Sequence, residues 1–267
     1  MTTLPTPFKP AGTVRQGLGA TARPDNWTLE PGIVAIGFTA FIVYSLFSAL
    51  LWGPIFGVNY EADGYLSPFF SPLIAANVLP WWFSPAILIL WIPLGFRTTC
   101  YYYRKAYYRS YFADPPACAV GEPTIHRRYR LETAFPFILQ NLHRFFLYLA
   151  FVPLFFLWVD ALQSFRVGGF WRIGLGGMIL VLNVVLLTGY SLSCHSLRHL
   201  VGGKVDCFSC TRRARLRYSL WRPATWMNVF HMRWAWASLV SVALADLYVH
   251  LLAMHVLVDP AIHFQAF

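Results

Sequence analysis

The 267-residue chain is 57% apolar and 18% aromatic, with only 12% charged residues and a formal net charge of +10. Soluble domains carry about 25% charge, so an ordinary cytosolic enzyme is excluded, as are disordered and collagen-like chains. Uncharged runs at 31–60, 64–96 and 173–197 each exceed the ~20 residues that cross a hydrocarbon core, which makes this a polytopic membrane protein.

In chain order, residues 1–30 form a polar N-terminal segment rich in Pro and Gly, without a signal-peptide pattern. A first helix is expected over about 32–54. The stretch 59–80 is apolar but broken by Gly64, Pro68, Pro72 and Pro80, and reads as an interfacial loop. A second helix is expected over 78–99, continuing past Arg97 as an aromatic and basic segment, 100–112, suited to docking a partner. Helices three, four and five are expected over 135–159, 173–195 and 234–257. The fold class is thus all-α, a five-helix transmembrane bundle over 31–258 with loops at 100–133 and 198–233 and a tail at 259–267. Helices that are apolar all round carry little periodicity, so their ends are approximate.

Fifteen of the 21 basic residues lie in 97–133 and 198–233. The positive-inside bias puts both segments and the N-terminus in the cytoplasm and the C-terminus outside. The excess charge is this bias rather than a nucleic-acid signature, although a basic face can also dock an acidic partner. No loop is large enough to form a catalytic domain, so elaborate substrate chemistry belongs on another subunit.

Three polar constellations stand out. The densest is Cys194-His195-x3-His199-x7-Cys207-x2-Cys210. His195 and His199, at i and i+4, share a helix face, and Gly202 and Gly203 can end that helix and return Cys207 and Cys210 to it. Cytoplasmic thiols are normally reduced, which favours a metal over a disulfide. Two Cys and two His suit zinc and a Rieske-type [2Fe–2S] centre equally; the plain alternative is interfacial histidines beside unconnected cysteines. Helix three carries Gln140, Asn141, His143 and Arg144, and polar side chains at such depth usually face a cavity, a cofactor or a partner. Gln140 and His143 share a face; Arg144 either turns inward to hold a quinone carbonyl or snorkels to the headgroups. Helix five carries Asp246 and His250 at i and i+4 in the outer half of the bilayer, a pair able to relay protons or to join helices. His255 and His263 fall near the outer surface, and His126 and His231 on cytoplasmic loops without evident role.

The stretches Cys100-Tyr-Tyr-Tyr-Arg-Lys-Ala-Tyr-Tyr-Arg109, Asp114-Pro-Pro-Ala-Cys-Ala-Val120, Phe137-Ile-Leu-Gln-Asn-Leu-His143 and Ser193-Cys-His-Ser-Leu-Arg-His199 resemble the membrane anchors of succinate dehydrogenase and fumarate reductase complexes. They look most like an actinobacterial subclass that bears a Rieske-type [2Fe–2S] centre instead of haem. Di-haem relatives place histidines on helices one and two, where this chain has none. The resemblance implies a bacterial plasma-membrane anchor docked to an iron–sulfur subunit and a flavoprotein subunit. Electrons would pass to menaquinone or ubiquinone here, with succinate oxidised on the partner and the whole complex able to oligomerise. It places the cluster on His195, His199, Cys207 and Cys210, with Cys118, Cys194 and His143 as substitutes. Gln140, His143 and Arg144 become the cytoplasmic-side quinone environment, and Asp246 with His250 the outer-side proton handlers. The rivals are a haem b anchor using His143 with His195 or His199, a membrane di-iron oxidase, and a zinc-stapled structural anchor. The di-iron reading has only one His-x3-His in its favour.

Overall fold

The computed structural model describes residues 28–74, 80, 83–111, 135 and 137–265. Cys118 and His126 lie outside the described residues. Helix α1 (Leu29–Leu46) runs on as a π-helical segment, Phe47–Trp52, and one last turn, Gly53–Phe56. Gly57 closes it in the left-handed conformation, φ 64°, donating its N–H to the Gly53 carbonyl. Uncharged beyond Glu30 in its first turn, α1 needs no amphipathic stripe, and Ile33, Ile36 and Val43 point away from the protein.

The described part of the segment expected to be an interfacial loop, 59–74, is instead folded inward. Strands β1 (Glu61–Ala62) and β2 (Tyr65–Leu66) form a hairpin. Its turn residues Asp63 and Gly64 both take positive φ, the twist a two-residue hairpin requires. Beyond it a 3-10 turn, Pro68–Phe70, buries Phe69 and Phe70 against Ala49, Ala86 and Val242. Hydropathy alone cannot tell apolar chain that meets lipid from apolar chain that meets protein, which is why this plug reads as a loop in sequence.

Helix α2 (Ala86–Thr98) is shorter than the expected 78–99. Its 13 residues rise only about 20 Å, against a hydrocarbon core of roughly 30 Å. Among the described residues, four helical segments are long and apolar enough to cross a membrane: Leu29–Trp52, Ile138–Gln163, Leu175–Leu192 and His231–Ala253. After a break at Thr99 and Cys100, α3 (Tyr101–Tyr111) folds back along α1 rather than extending α2. Tyr111 Oη donates to the Ala35 carbonyl at 2.9 Å, and Arg109 meets Glu30 at 3.4 Å.

A 3-10 segment, Phe137–Leu142, enters α4 (His143–Gln163), followed by β3 (Arg166–Val167), β4 (Phe170–Gly174) and α5 (Leu175–Leu192). The expected basic loop 198–233 is largely helical, as α6 (His195–Gly202) and α7 (Arg212–Val229), before α8 (His231–Ala253) and β5 (Ala261–Gln265). Helix α8 packs most extensively on α5, α5 on α4, and α4 on α2. Half of the α8 span is buried inside the protein against 17% for α1, so α8 is the axis of the bundle and α1 an outer stave. Gly189 makes the α5–α8 approach possible: a Cβ there would lie 2.5 Å from the Trp234 ring. Small residues at such crossings let membrane helices close up. Gly189→Val should therefore lower the stability of the purified protein by about 1–3 kcal/mol, the usual cost of overpacking, read as a drop in Tm.

At the end remote from the basic helices, β3, β4 and β5 form an antiparallel sheet, a second β element beside the β1–β2 hairpin in a mostly helical fold. Asp259 latches it to the bundle, accepting from Tyr65 Oη at 2.6 Å, Tyr248 Oη at 2.7 Å and the Gly176 N–H at 2.9 Å. Burial alone would raise this carboxyl. The two tyrosines, the Gly176 N–H and the charge of Arg172 outweigh it and hold the carboxyl below its ordinary value. A carboxylate depressed in the folded state stabilises above its unfolded pKa, and that contribution is lost as pH falls through the folded one. The latch should thus be intact at neutral pH and weaken below about pH 4. Melts at pH 7 and pH 3.5 should show an acid-dependent loss of Tm that is smaller in Asp259→Asn.

Candidate functional site

Four helix junctions meet at the basic end of the bundle, and each contributes one potential metal ligand. Cys100 sits in the α2–α3 break, Cys194 between α5 and α6, His143 at the first residue of α4 and His231 at the first residue of α8. The two thiols and the His231 ring are fully buried. His143 Nε2 lies 3.2 Å from Cys194 Sγ, and His231 Nε2 lies 3.6 Å from Cys100 Sγ. The pairs are joined by stacked rings: Phe96 lies flat on His143, centroids 4.8 Å apart, and Tyr190 lies flat on His231 at 5.0 Å. Phe96 and Tyr190 are themselves in contact, 5.1 Å apart.

Residues preceding the cysteines orient the histidines crosswise. Thr99, before Cys100, holds His143 Nδ1 at 2.9 Å; Ser193, before Cys194, holds His231 Nδ1 at 2.6 Å. Each hydroxyl has one proton and a backbone carbonyl in reach to take it: Gly95 for Thr99 Oγ1 at 2.7 Å, Tyr190 for Ser193 Oγ at 3.1 Å. With the protons so placed, both hydroxyls accept from Nδ1–H and each Nε2 is unprotonated and aimed at a sulfur. That is the tautomer a metal-binding imidazole needs, with its other nitrogen fixed by a neighbouring group. Asn228 Nδ2 donates to the Ser193 carbonyl at 2.8 Å, satisfying a carbonyl freed where α5 stops. Burial pushes the Cys194 thiol up to about 11 and raises Cys100 as well, so as free thiols both are protonated and unreactive.

The structure places the expected ligands differently. His195 and His199 do share one face of α6, their Nε2 atoms 3.0 Å apart, but both rings are exposed. Partial loss of water contact, then the charges of His199 and Arg198, hold the His195 imidazole below its usual value. Cys207 and Cys210 are joined to each other in a disulfide. Phe208, between them, packs on Tyr218 and Trp221 of α7. Among the described residues, no three His, Cys, Asp or Glu side chains converge closely enough to grip a single ion; the buried four stand instead as two Cys–His pairs. Cys100 and His231 were not singled out as ligands from sequence. A hydroxyl residue directly precedes a cysteine three times, at Thr99-Cys100, Ser193-Cys194 and Ser209-Cys210, so that pattern does not separate the buried thiols from the disulfide pair.

Nearby, Gln140 Nε2 donates to Tyr107 Oη at 3.2 Å while its Oε1 is buried without a partner among the described residues. Arg144 lies on the exposed side of α4.

A second polar site lies some 22 Å along α8 from His231, by rise per residue. Asp246 is fully buried. Its Oδ2 accepts from Tyr44 Oη and Ser48 Oγ, both at 2.6 Å, and its Oδ1 from Ser67 Oγ. The π-helical segment of α1 supplies Ser48 and the inward loop supplies Ser67, so both departures from regular expectation serve this carboxyl; π segments often mark functional sites. His250 Nδ1 lies 2.9 Å from the Asp246 carbonyl oxygen and 3.4 Å from Oδ1. A carbonyl only accepts, so Nδ1 carries the proton. His250 Nε2 is left buried with no partner among the described residues, under the Trp52 ring stacked 4.2 Å away. Asp246 and His250 come together as expected; Tyr44, Ser48, Ser67 and Trp52 come from segments that sequence reading did not connect to them.

Residues 29–255 match the family described as actinobacterial succinate dehydrogenase subunit SdhC. The solved Mycobacterium smegmatis Sdh1 complex in the apo form contains a chain with 37% sequence identity and a TM-score of 0.79, covering 92% of this chain and 94% of that one. No curated protein matches. With its apolar spans, buried polar centres and a family match over most of its length, this chain belongs to the actinobacterial SdhC family of succinate dehydrogenase subunits, as a multi-pass anchor in the plasma membrane.

Proposed function

We propose that the chain is the electron-transfer and quinone-reactive anchor of a succinate:quinone oxidoreductase, docked to an iron–sulfur subunit and a flavoprotein subunit. On this reading the basic end faces the cytoplasm, the sheet end faces outward, and α2 belongs to the fifth crossing. A Rieske-type [2Fe–2S] centre is held by Cys100, Cys194, His143 and His231, in place of the set His195, His199, Cys207 and Cys210. The observation that carries this is the crossed bracing, two buried thiols each faced by one nitrogen of an imidazole whose other nitrogen is held by a hydroxyl. Two thiols and two imidazoles are the Rieske donor set, the thiolates for one iron and the imidazoles for the other.

When bound, such a cluster supplies a one-electron station between the partner's iron–sulfur centres and quinone. The chain's own residues do the rest. Thr99 and Ser193 keep the imidazoles oriented, and Phe96 and Tyr190 exclude water from their faces. Gln140 Oε1, buried and unpartnered, suits a quinol hydroxyl on the cytoplasmic side, with Arg144 at its rim. On the outer side His250 Nε2 is a vacant acceptor for a second quinol hydroxyl, and Asp246, wrapped by three hydroxyl donors, stabilises positive charge on the imidazole as the proton arrives. Two sites on opposite sides would let the membrane potential act on the reaction.

A tag on this chain tests the reading. The expected result is co-purification of a flavoprotein and an iron–sulfur protein, with succinate-dependent reduction of a menaquinone analogue. A complex that reduces a soluble dye but never a quinone would overturn it.

A further inference from the structure

Arg97 and Tyr190 border the Cys–His pairs without belonging to them. Arg97 comes near the end of the apolar helix α2, and among the described residues it has no carboxylate within ion-pair reach. Its guanidinium is held by neutral oxygens: Nη1 donates to Tyr103 Oη and to the Ala235 carbonyl at 3.2 Å, Nη2 to Ser238 Oγ at 3.1 Å. The charge lies over two aromatic faces, 4.9 Å from the Tyr190 centroid and 5.5 Å from that of Tyr103. An uncompensated cation in a membrane bundle is costly unless something negative belongs beside it.

Tyr190 offers a second unspent group. It is fully buried, its ring stacks on His231, and its hydroxyl is buried without a hydrogen-bond partner among the described residues. That hydroxyl faces the Cys100 thiol. A buried O–H with no acceptor is costly, and a cysteine sulfur made anionic by metal binding is the acceptor in line.

We infer that Arg97 and Tyr190 raise the reduction potential of the cluster held by Cys100, His143, Cys194 and His231, Tyr190 by donating to the Cys100 sulfur and Arg97 by its charge. This rests on the cluster assignment above. Adding one electron adds one negative charge, which a cation and an O–H donor in a low-dielectric site both favour. Neither residue is a ligand; both act through the group beside them. A higher potential would draw electrons from the partner's iron–sulfur centres toward this end of the anchor.

The experiment is a potentiometric EPR titration of the intact complex, following the histidine-coordinated signal in the parent, Tyr190→Phe, Arg97→Gln and Arg97→Lys. Tyr190→Phe removes one oxygen and keeps the stacked ring. It should shift the reduction equilibrium about tenfold toward the oxidised form, about 59 mV for a one-electron couple. Arg97→Gln should lower the potential as well, and Arg97→Lys, which keeps the charge, should lie nearer the parent. Tyr190→Phe keeps the test decisive where Arg97→Gln does not assemble. Unshifted potentials in Tyr190→Phe and Arg97→Gln, with the signal present, would overturn the inference and leave the cluster assignment standing. Absence of a histidine-coordinated signal in the parent would instead remove the assignment beneath it.

Discussion

Changing Asp246 to Ala is expected to abolish quinone turnover and to destabilise the bundle by about 3–5 kcal/mol, while iron content stays at the parent level. The size follows from what the carboxyl satisfies. Tyr44, Ser48 and Ser67 all donate to it from inside the protein, and none has water to turn to. Each orphaned buried donor costs about 1–3 kcal/mol, and the two serine positions relax least because the residues are fully buried. Asp246→Asn separates packing from proton handling. The amide keeps one acceptor oxygen and the volume, so most of the stability should return. It no longer holds a negative charge beside His250 Nδ1, 3.4 Å from Oδ1 in the parent, so turnover should stay low. Thermal melts and steady-state quinone reduction measured together check this. An Asn variant with unchanged turnover would confine Asp246 to a structural role.

Replacing either Cys100 or Cys194 with Ser should eliminate the anchor's cluster, and with it succinate-dependent quinone reduction, although the flavoprotein partner should still oxidise succinate with a soluble dye. Replacing Cys207 or Cys210 should leave the cluster in place. The contrast arises from burial and orientation. Cys100 and Cys194 each face a fixed imidazole nitrogen inside the protein, whereas Cys207 and Cys210 bind each other beside the surface helices α6 and α7. Thr99→Ala and Ser193→Ala form a graded companion set. Each removes the group that holds one Nδ1, and loss of such outer partners typically weakens metal binding about 10–100-fold. Iron quantified per complex against dye-linked activity distinguishes the graded from the complete loss.

Much of this architecture is legible from hydropathy because lipid imposes a simple rule: a spanning helix must be long and uncharged. The segments near 32–54, 135–159, 173–195 and 234–257 follow from it. The rule fails where apolar chain meets protein, as at Phe69 and Phe70, and where prolines shorten the apolar run before Ala86. The pairing of Asp246 with His250 was readable because i and i+4 on one helix fixes it. The same logic joins His195 to His199, and there it points to an exposed face. What no local spacing reveals is the bracing of Cys100 by His231, 131 residues away, or of Asp246 by Ser48, 198 residues away. Those contacts exist only once α8 is in place as the axis.

The most direct test of the cluster assignment is pulsed EPR of the reduced, purified complex, reading nitrogen couplings to the paramagnetic iron. Clusters bound by cysteine alone lack imidazole nitrogens, so the partner's centres do not obscure the result. The assignment predicts couplings from two imidazoles that persist in a His195→Ala, His199→Ala double variant and vanish in Cys194→Ser. Nitrogen couplings lost with His195 and His199, or a haem absorption band in place of the signal, would contradict it.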